Sequence, residues 1–212
     1  MAVKGIVAIL LAGGQSRRMG QDKALLPWDG MSLLSRTHRL LTELELPVRI
    51  SVRREQIAAY AAVVGSELLV VDGHFPVKGP LRGIFTAHAL FPGLDLLVVA
   101  CDLPLLSVAL LHRLLTRRDE ALRNHRESGE SLPDYIAFDA EGIQPLTAIY
   151  FRGALARLRK QAEEERLAET CPRKILGAGR TLILTPEKGE EHAFANANHP
   201  EDWEKIRQAG HF

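Results

Sequence analysis

The stretch from residue 6 to residue 23 reads IVAILLAGGQSRRMGQDK. Its first six residues, Ile6–Leu11, form a short apolar run with β-branched side chains, the pattern of a buried parallel strand. Two adjacent glycines, Gly13 and Gly14, follow the run and give the backbone conformational freedom that other residues lack. We therefore expect the first strand of a parallel sheet to lead directly into a glycine-rich loop.

Outward from this stretch, strand-like and helix-like runs alternate through the first half of the chain. Further strands are predicted at Val48–Val52, Leu68–Val71 and Leu94–Ala100. Helices are predicted at Ser32–Leu44, Gln56–Val64, Leu81–Phe91 and Leu106–Arg117. Pro80 suits the first position of the third helix. This alternation predicts βαβ units and a mostly parallel, Rossmann-like sheet in a three-layer α/β/α fold.

The second half of the chain is less regular. Residues 117–134 are polar and charge-rich, and we expect them to form a mobile excursion. The sequence Asp139-Ala140-Glu141-Gly142 predicts a hairpin turn between strands at Tyr135–Phe138 and Leu146–Phe151, which would give the sheet an antiparallel strand. Later elements are predicted as a helix near Ala154–Ala168, a strand at Thr181–Leu184 and a helix at Pro200–Gln208. Because no linker or repeat interrupts the chain, residues 1–212 are expected to form one domain.

The composition is that of an ordinary globular protein, with 46% hydrophobic and 25% charged residues. A formal net charge of +1 argues against a protein that coats nucleic acid or an anionic membrane, so any positive field should be local. Met1–Leu11 is interpreted as a strand rather than a signal peptide, and no stretch approaches the roughly 20 apolar residues that span a bilayer. Cys101 and Cys171 lack the spacing of a disulfide framework or zinc site. These features predict a cytoplasmic protein.

The glycine-rich loop carries cations as well as glycines. Arg17, Arg18 and Lys23 lie within reach of the same phosphate chain, which the backbone N–H groups of Gly13 and Gly14 can approach closely. The spacing matches neither a Walker loop nor a Gly-x-Gly-x-x-Gly dinucleotide fingerprint. The alternative is that the glycines only turn the chain while the cations are solvated. The position directly after the first strand favours a phosphate site.

Asp102 is a second candidate, because it stands where the apolar strand Leu94–Ala100 ends. Parallel strands share their carboxyl edge, so we expect Asp102 beside the glycine-rich loop. A carboxylate there suits Mg²⁺, which prefers oxygen ligands. The alternative is a simple cap for the next helix, and the neighbouring loop favours the metal. Cys101 is interpreted as a small buried apolar residue rather than a nucleophile.

The stretch Leu11–Lys23 resembles a motif of small nucleotidyltransferases with a Rossmann-like fold, the nucleotide-diphospho-sugar transferase superfamily. Within that group the chain is similar to the molybdenum cofactor guanylyltransferase family over almost its whole length. The segment Cys101-Asp102-Leu103-Pro104 matches the family's metal-binding aspartate motif. The resemblance implies Arg18, Lys23 and Asp102 as catalytic residues, Mg²⁺ as cofactor and Asp102 as its ligand.

Asp72 and Gly79-Pro80-Leu81-Arg82-Gly83-Ile84 resemble the family segment at the nucleotide base and ribose. Related cytidylyltransferases carry a serine-containing segment there, so the match favours GTP over CTP. An aspartate can accept hydrogen bonds from guanine; the alternative is an ordinary turn residue before a helix. Ser51 stands where the family leads us to expect an asparagine. The implied nucleotide site consists of Leu11, Ala12, Gly13, Gly14, Arg18, Lys23, Ser51, Asp72, Gly79, Pro80, Leu81 and Asp102.

Two later segments resemble family motifs that face the acceptor. In the first, Gln144 and Pro145 are the implied contacts. In the second, Asn196-Ala197-Asn198-His199-Pro200, alternation puts the amides of Asn196 and Asn198 on one face. Asn198 equally suits the N-cap of the following helix, and both interpretations stay open. Residues 1–117 are accordingly interpreted as a nucleotide-binding half and residues 118–212 as an acceptor-binding half.

The resemblance implies Mg²⁺-dependent transfer of GMP from GTP to the phosphate of molybdopterin, with release of pyrophosphate. The implied partners are GTP, molybdopterin or molybdenum cofactor, and molybdoenzymes or their chaperones, but neither nucleic acid nor membrane. One alternative is the same chemistry with CTP or another phosphorylated acceptor. Another is a non-catalytic adaptor that binds nucleotide or cofactor. The intact loop and Asp102 argue against the adaptor, because binding alone does not require a metal aspartate.

Overall fold

The computed structural model describes residues 5–14, 22–196 and 206. The strands are β1 Ile6–Leu11, β2 Pro27–Trp28, β3 Met31–Ser32, β4 Val48–Val52, β5 Leu69–Val71, β6 Asp95–Ala100, β7 Tyr135–Asp139, β8 Ile143–Tyr150 and β9 Thr181–Leu184. The α-helices are α1 Leu33–Thr42, α2 Ile57–Val64, α3 Pro80–Leu90, α4 Val108–Ser128, α5 Arg152–Glu163 and α6 Pro172–Ala178. Two short 3-10 turns that border the site span Lys23–Leu25 and Arg54–Gln56.

Seven strands form one sheet in the order β5-β4-β1-β6-β8-β7-β9, and β2 pairs with β3 in a separate small hairpin. β1 is parallel to both of its neighbours, with Leu11 opposite Ser51 of β4 on one side and opposite Ala100 of β6 on the other. The carboxyl ends of these three strands therefore meet at one edge of the sheet. β8 is antiparallel to β6 and β7, which confirms the predicted antiparallel strand from the C-terminal half.

Helices cover both faces of the sheet. Ile6, Ala8 and Leu10 of β1 pack in a cluster with residues of α1, α2 and α4, whereas Val7 and Ile9 pack in a second cluster with residues of α3, α5 and α6. This division follows from the alternation of side chains along a strand. All five of these β1 side chains are at most 2% exposed, so β1 lies at the centre of the core. The predicted three-layer α/β/α fold is confirmed.

Helix α4 is longer than expected, and the prediction of a mobile excursion over residues 117–134 is wrong for most of that range. The helix continues to Ser128 and ends where Gly129 adopts the left-handed conformation, with φ of 71°. Arg118 anchors this extension, because its buried guanidinium forms an ion pair with Asp95 at 2.9 Å. The charged residues beyond it are good helix formers on an exposed face. Their charge therefore reflects a solvated helix, not a mobile loop.

The C-terminal third differs from the sequence prediction in two details. Helix α5 ends at Glu163 instead of near Ala168, and a short helix beginning at Pro172 was not predicted. The hairpin and the strand Thr181–Leu184 are confirmed. The helix predicted at residues 200–208 lies outside the described residues except for residue 206. No helix in the described part of the chain is long and apolar enough to cross a membrane.

Candidate active site

A cleft of about 860 Å³ opens at the carboxyl edge of the sheet, within the size range of small-molecule sites. Its walls come from the residues that follow β1, β4, β5 and β6, from the turn Lys23–Leu25 and from the start of α3. The structure brings most of the predicted nucleotide residues to this cleft, namely Leu11, Ala12, Gly13, Gly14, Lys23, Ser51, Asp72, Gly79, Pro80 and Asp102. Arg18 lies outside the described residues, so its predicted catalytic role stays a prediction.

The glycine pair begins the cleft wall directly after β1. The backbone N–H of Ala12 donates to the carbonyl of Ser51 at 3.0 Å, so the chain continues along β4 as it leaves the strand. A Cβ atom on Gly13 would lie 3.2 Å from Oδ2 of Asp72, a closer approach than most side chains tolerate. Gly14 is exposed, and a Cβ atom there would have no described heavy atom within 4 Å. A side chain at Gly13 would therefore press on Asp72, whereas Gly14 leaves the cleft open to a ligand.

Lys23 enters the cleft from the start of a 3-10 turn. Asp22 caps this turn, because its Oδ1 accepts from the backbone N–H of Ala24 at 3.1 Å. The ammonium of Lys23 is close enough to lower the pKa of Asp102, against the stronger effect of burial. The predicted phosphate-binding lysine and the predicted metal ligand therefore share one electrostatic environment.

Asp102 follows the end of β6, where the N–H of Cys101 donates to the carbonyl of Leu11 at 3.2 Å. Burial raises the pKa of Asp102, and Lys23 only partly offsets it. Such a carboxylate gains from a cation beside it. Among the described residues, no group of three or more His, Cys, Asp or Glu side chains gathers around a common metal position. Asp102 offers a single carboxylate. One carboxylate fits Mg²⁺, which commonly uses one or two carboxylates together with substrate phosphates.

Asp72 is held by Ser51 across the ends of β5 and β4. The Ser51 hydroxyl donates to Oδ1 of Asp72 at 2.5 Å. Burial raises the pKa of Asp72, while this hydrogen bond and the cations of Arg82 and Arg53 act in the opposite direction. Gly83 makes room for the pair, because a Cβ atom there would collide with the Ser51 hydroxyl oxygen. Ser51 thus contacts the predicted base-binding aspartate.

Gly79 and Pro80 form the beginning of α3 at the cleft. Gly79 has φ of 65° and ψ of −151°, a conformation essentially restricted to glycine, and Pro80 follows at the first helical position as predicted. Leu81 was also predicted to contact nucleotide, but its side chain is fully buried in the core on the α3 face. The Leu81 side chain therefore stabilises the helix, and it does not line the cleft.

The predicted acceptor residues are less clearly assembled. Gln144 donates through Nε2 to the carbonyls of Ala140 and Gly142, at 2.6 and 2.8 Å, so its amide group is directed into the β7–β8 turn. The Pro145 carbonyl accepts from the Tyr150 hydroxyl at 2.9 Å. Among described residues the cleft lining includes neither Gln144, Pro145 nor Asn196, although it includes Leu146. Asn196 is exposed, and Asn198 lies outside the described residues. The acceptor roles stay predictions.

Several cations at the cleft were not assigned from the sequence, namely Arg53, Arg54, Lys78 and Arg82. Arg53 donates through Nη2 to the Gly14 carbonyl at 3.3 Å, which brings its guanidinium to the glycine pair. With Lys23, these side chains give the described cleft lining five basic residues against four acidic ones. The cleft thus gathers charges of both signs, and the predicted local positive field stays a prediction. The sequence signal for Arg53 and Arg54 was their position directly after the strand β4, whose carboxyl end lies at this edge of the sheet.

Two uncharged residues were also missed. Gln56 and Tyr60 lie four positions apart on one face at the start of α2, and both reach Ala12 and Asp22 through hydrogen bonds. Their side chains are buried. The four-residue spacing can be read from the sequence. Their hydrogen-bond partners cannot, because Ala12 and Asp22 lie far away along the chain.

The two cysteines occupy contrasting environments. Cys101 is buried at the cleft floor, where burial, Asp102 and Asp22 raise the pKa of its thiol well above the ordinary value. A thiol of this kind is a poor nucleophile, in agreement with its interpretation as a small packing residue. Cys171 is exposed before α6, and neither cysteine forms a disulfide.

A family model described as the MobA-like NTP transferase domain matches residues 8–182. The matched range contains every described residue that lines the cleft, from Leu11 to Leu146. It also contains all of the sheet except the first two residues of β1 and the last two of β9.

Individual proteins give the same picture. The chain is 34% identical over 203 residues to the molybdenum cofactor guanylyltransferase of Xanthomonas euvesicatoria pv. vesicatoria strain 85-10, covering 93% of this chain and 92% of that protein. Identity is 33% over 197 residues to the protein of the same name from Pseudomonas syringae pv. syringae strain B728a, covering 91% and 88%. Among solved structures, molybdopterin-guanine dinucleotide biosynthesis protein A of Archaeoglobus fulgidus matches with a TM-score of 0.70 at 20% identity, covering 95% and 97%. The latter shows a shared fold.

Proposed function

Because this chain belongs to the MobA-like NTP transferase family and is a nucleotidyltransferase, we propose that it transfers GMP from GTP to the phosphate of molybdopterin. The products would be the guanine dinucleotide form of the molybdenum cofactor and pyrophosphate. The observation that carries the proposal is the convergence of Gly13, Gly14, Lys23, Asp72 and Asp102 on one cleft. Relatives named for this activity align over more than nine-tenths of the chain, which supports the same assignment.

In the proposed reaction, a phosphate oxygen of the acceptor attacks the α-phosphorus of GTP. A P–O bond forms there, while the bond from the α-phosphorus to the α,β-bridging oxygen breaks and pyrophosphate leaves. Because the acceptor supplies its own nucleophile, the protein contributes positioning and charge stabilisation. The N–H groups of the glycine pair and the cations of Lys23 and Arg53 would hold the triphosphate in line with the acceptor.

Asp102 would hold Mg²⁺ against the triphosphate, as the chemistry of its half-buried carboxylate supports. When bound, the metal supplies positive charge that offsets the charge of the phosphate oxygens. Lys23 acts on the same phosphates from the facing turn. Burial of both groups strengthens their electrostatic effect relative to that in bulk water.

Selection of guanine is assigned to Asp72. An ionised carboxylate accepts from the N1–H and the amino group of guanine, neither of which adenine offers in the same pattern. Burial raises the pKa of Asp72, and the Ser51 hydrogen bond and the cations of Arg82 and Arg53 act against that rise in favour of the ionised form. The positive φ of Gly79 supports close backbone approach to the nucleoside.

A reducing location also belongs to the proposal. Both cysteines are unpaired, as in proteins of the cytoplasm. There the product would pass to a molybdoenzyme or its chaperone.

Calorimetric titration with GTP, CTP, ATP and UTP, each with and without Mg²⁺, tests the proposal, followed by turnover with molybdopterin and GTP. We expect selective binding of GTP and release of pyrophosphate that depends on the acceptor. Preference for CTP would move the assignment to a cytidylyltransferase. Binding without turnover would favour an adaptor, and absence of binding even with acceptor present would contradict the proposal.

Two substitutions assign the roles of charged residues in that assay. Asp102→Asn should retain the fold but lose guanylyl transfer, since the amide is a poor Mg²⁺ ligand. Lys23→Ala should weaken GTP binding. Turnover of Asp102→Asn with Mg²⁺, or unchanged affinity and rate in Lys23→Ala, would contradict these roles.

A further inference from the structure

A buried hydrogen-bond network joins the two ends of the glycine-rich stretch. Tyr60 of α2 is fully buried, and its hydroxyl oxygen lies 2.8 Å from each carboxylate oxygen of Asp22. The same oxygen lies 3.1 Å from the carbonyl of Ala12. Ala12 is the last residue before the glycine pair, and Asp22 directly precedes Lys23. One side chain from a distant helix thus contacts both ends of the stretch between residues 12 and 22.

Gln56 completes the network from the residue before α2. Its Nε2 donates to Oδ2 of Asp22 at 2.8 Å and approaches the Tyr60 hydroxyl at 2.8 Å and the Ala12 carbonyl at 3.3 Å. Its Oε1 accepts from the backbone N–H of Arg53 at 3.0 Å. The amide group is therefore held at both atoms. Its two protons and the Tyr60 phenol proton face the same acceptors, the Ala12 carbonyl and the Asp22 carboxylate.

The protons and acceptors in this network match. Tyr60 offers one proton and the Gln56 amide offers two, while the carboxylate of Asp22 and the carbonyl of Ala12 only accept. Burial, reinforced by Asp22, raises the pKa of Tyr60, so its hydroxyl stays protonated and able to donate. A phenylalanine would fill the same volume in the core but would leave the carboxylate without this donor. The polar atoms of Tyr60 and Gln56 thus hold Ala12 and Asp22, the two residues that flank the glycine-rich stretch.

We propose that Tyr60 and Gln56 are positioning residues which hold Asp22 and Ala12 so that Lys23 faces the glycine pair across the phosphate chain of a bound nucleotide. Asp22 transmits their effect, because it also accepts from the Ala24 N–H and so fixes the turn on which Lys23 stands. The side-chain hydrogen bonds of Tyr60 and Gln56 to described residues outside the pair run to Ala12, to Asp22 and to the backbone N–H of Arg53. This inference rests on the proposed function, since it assumes that the glycine pair and Lys23 bind a triphosphate.

Tyr60→Phe tests the inference, with Tyr135→Phe as the matched control. Tyr135 is another buried tyrosine, but it lies on β7 in the cluster on the opposite face of the sheet. Titration with GTP and with GMP separates the part of the affinity that depends on the β- and γ-phosphates from the part due to guanosine and the α-phosphate. In Tyr60→Phe we expect the Kd for GTP to rise about tenfold, as it would if the turn that carries Lys23 held its binding-competent arrangement only about a tenth of the time. The Kd for GMP should change less than about twofold, and Tyr135→Phe should bind both like the wild type.

A cycle with Asp22→Asn adds a second readout. If Tyr60 acts through Asp22, the double variant should lose no more GTP affinity than the weaker-binding single variant, because both changes remove the same interaction. Fully additive losses would overturn the inference. Thermal unfolding of each variant verifies that the comparison is between folded proteins.

The outcomes separate this inference from the proposed function. Unchanged GTP affinity in a folded Tyr60→Phe, or equal losses for GTP and GMP, would overturn the positioning role while leaving guanylyl transfer intact. A wild type that prefers CTP would overturn the nucleotide assignment, and the same comparison with CTP and CMP would still test the network. A wild type that binds no triphosphate would overturn both.

Discussion

At the scale of single residues, the proposed nucleotide site depends on small side chains that allow charged ones to meet. Ser51 donates to Asp72 beside Gly83 of α3, where an added Cβ atom would collide with the Ser51 hydroxyl oxygen. Gly13 likewise permits Asp72 to lie beside the loop. The aspartate proposed to recognise guanine is therefore positioned by a serine and two glycines rather than by a large polar side chain.

Asp72→Asn should lower the preference for GTP over ATP. The amide would replace one acceptor oxygen by a donor, so the pattern that matches guanine is lost at a cost of about 1–3 kcal/mol in GTP binding. Calorimetric titration with both nucleotides measures the ratio of affinities. Ser51→Ala is the companion variant and should weaken GTP binding less, because the carboxylate remains. An unchanged GTP/ATP ratio in Asp72→Asn would show that guanine is recognised elsewhere.

His88 should make the free energy of unfolding depend on pH. It is buried on α3, neither ring nitrogen makes a hydrogen bond of good geometry with a described residue, and burial together with Arg159 lowers its pKa. Below about pH 6.5 the unfolded chain binds a proton that the folded chain does not, so stability falls as the pH drops toward the lowered pKa. Urea unfolding from pH 8 to pH 5 should show this slope.

His88→Leu should reduce that slope, and His112→Leu, an exposed position on α4, should leave it unchanged. An equal slope in wild type and His88→Leu would mean that another group causes the dependence.

The site was predictable from the sequence wherever its residues follow the ends of strands. Gly13 and Asp102 follow the ends of β1 and β6, and parallel pairing alone brings such positions together, whereas Lys23 was predicted from the motif Leu11–Lys23. Gln56 and Tyr60 were missed because their partners are non-local, with Tyr60 contacting Ala12 across 48 positions in the chain. Single-sequence patterns contain no information about which distant polar atoms will be buried against each other.

At the scale of elements, the central strands follow from their own apolar patterns, whereas the length of α4 depends on a contact outside the helix. Arg118 is 2% exposed and reaches Asp95, at the first residue of β6, together with the carbonyl of Gly5 at 3.0 Å. A run of charges in isolation resembles a loop. The buried ion pair makes it a helix that crosses the amino-terminal edge of the sheet, away from the cleft.

Arg118→Ala should lower the free energy of unfolding by about 3 kcal/mol, because the buried carboxylate of Asp95 loses its buried cation and keeps only the Arg152 backbone N–H at 3.0 Å and the half-exposed Arg152 guanidinium at 3.7 Å. Urea denaturation measures the effect. Arg117→Ala is the matched control, since Arg117 pairs with Glu120 at an exposed position and should contribute less than about 1 kcal/mol. Any Arg118→Ala protein that remains folded should bind GTP like the wild type. A loss as small as that of Arg117→Ala would contradict the anchoring role.

At the scale of the whole molecule, the cleft draws residues from β1, from the ends of β4, β5 and β6, and from Leu146 of β8. These strands belong to one sheet, so the ligand site exists only when the sheet is formed. Binding of a nucleotide is therefore coupled to global unfolding.

GTP with Mg²⁺ should raise the melting temperature of the wild type. At about 100 times Kd, binding contributes about 2.7 kcal/mol, which for a chain of this size corresponds to roughly 5–10 °C. Differential scanning calorimetry of the wild type and Lys23→Ala at the same nucleotide concentration measures the difference, and the variant should shift less. Calorimetric binding without any rise in melting temperature would mean that the nucleotide binds the unfolded chain equally well.

The contrast between the two cysteines has a practical consequence. Cys101 is buried with its thiol protonated, whereas Cys171 is exposed outside the cleft lining. A maleimide dye added to the native wild-type protein should therefore attach at one position, without mutagenesis and without blocking the nucleotide. Fluorescence anisotropy of that conjugate offers a direct way to test whether the protein associates with a molybdoenzyme, the class of partner proposed to receive its product.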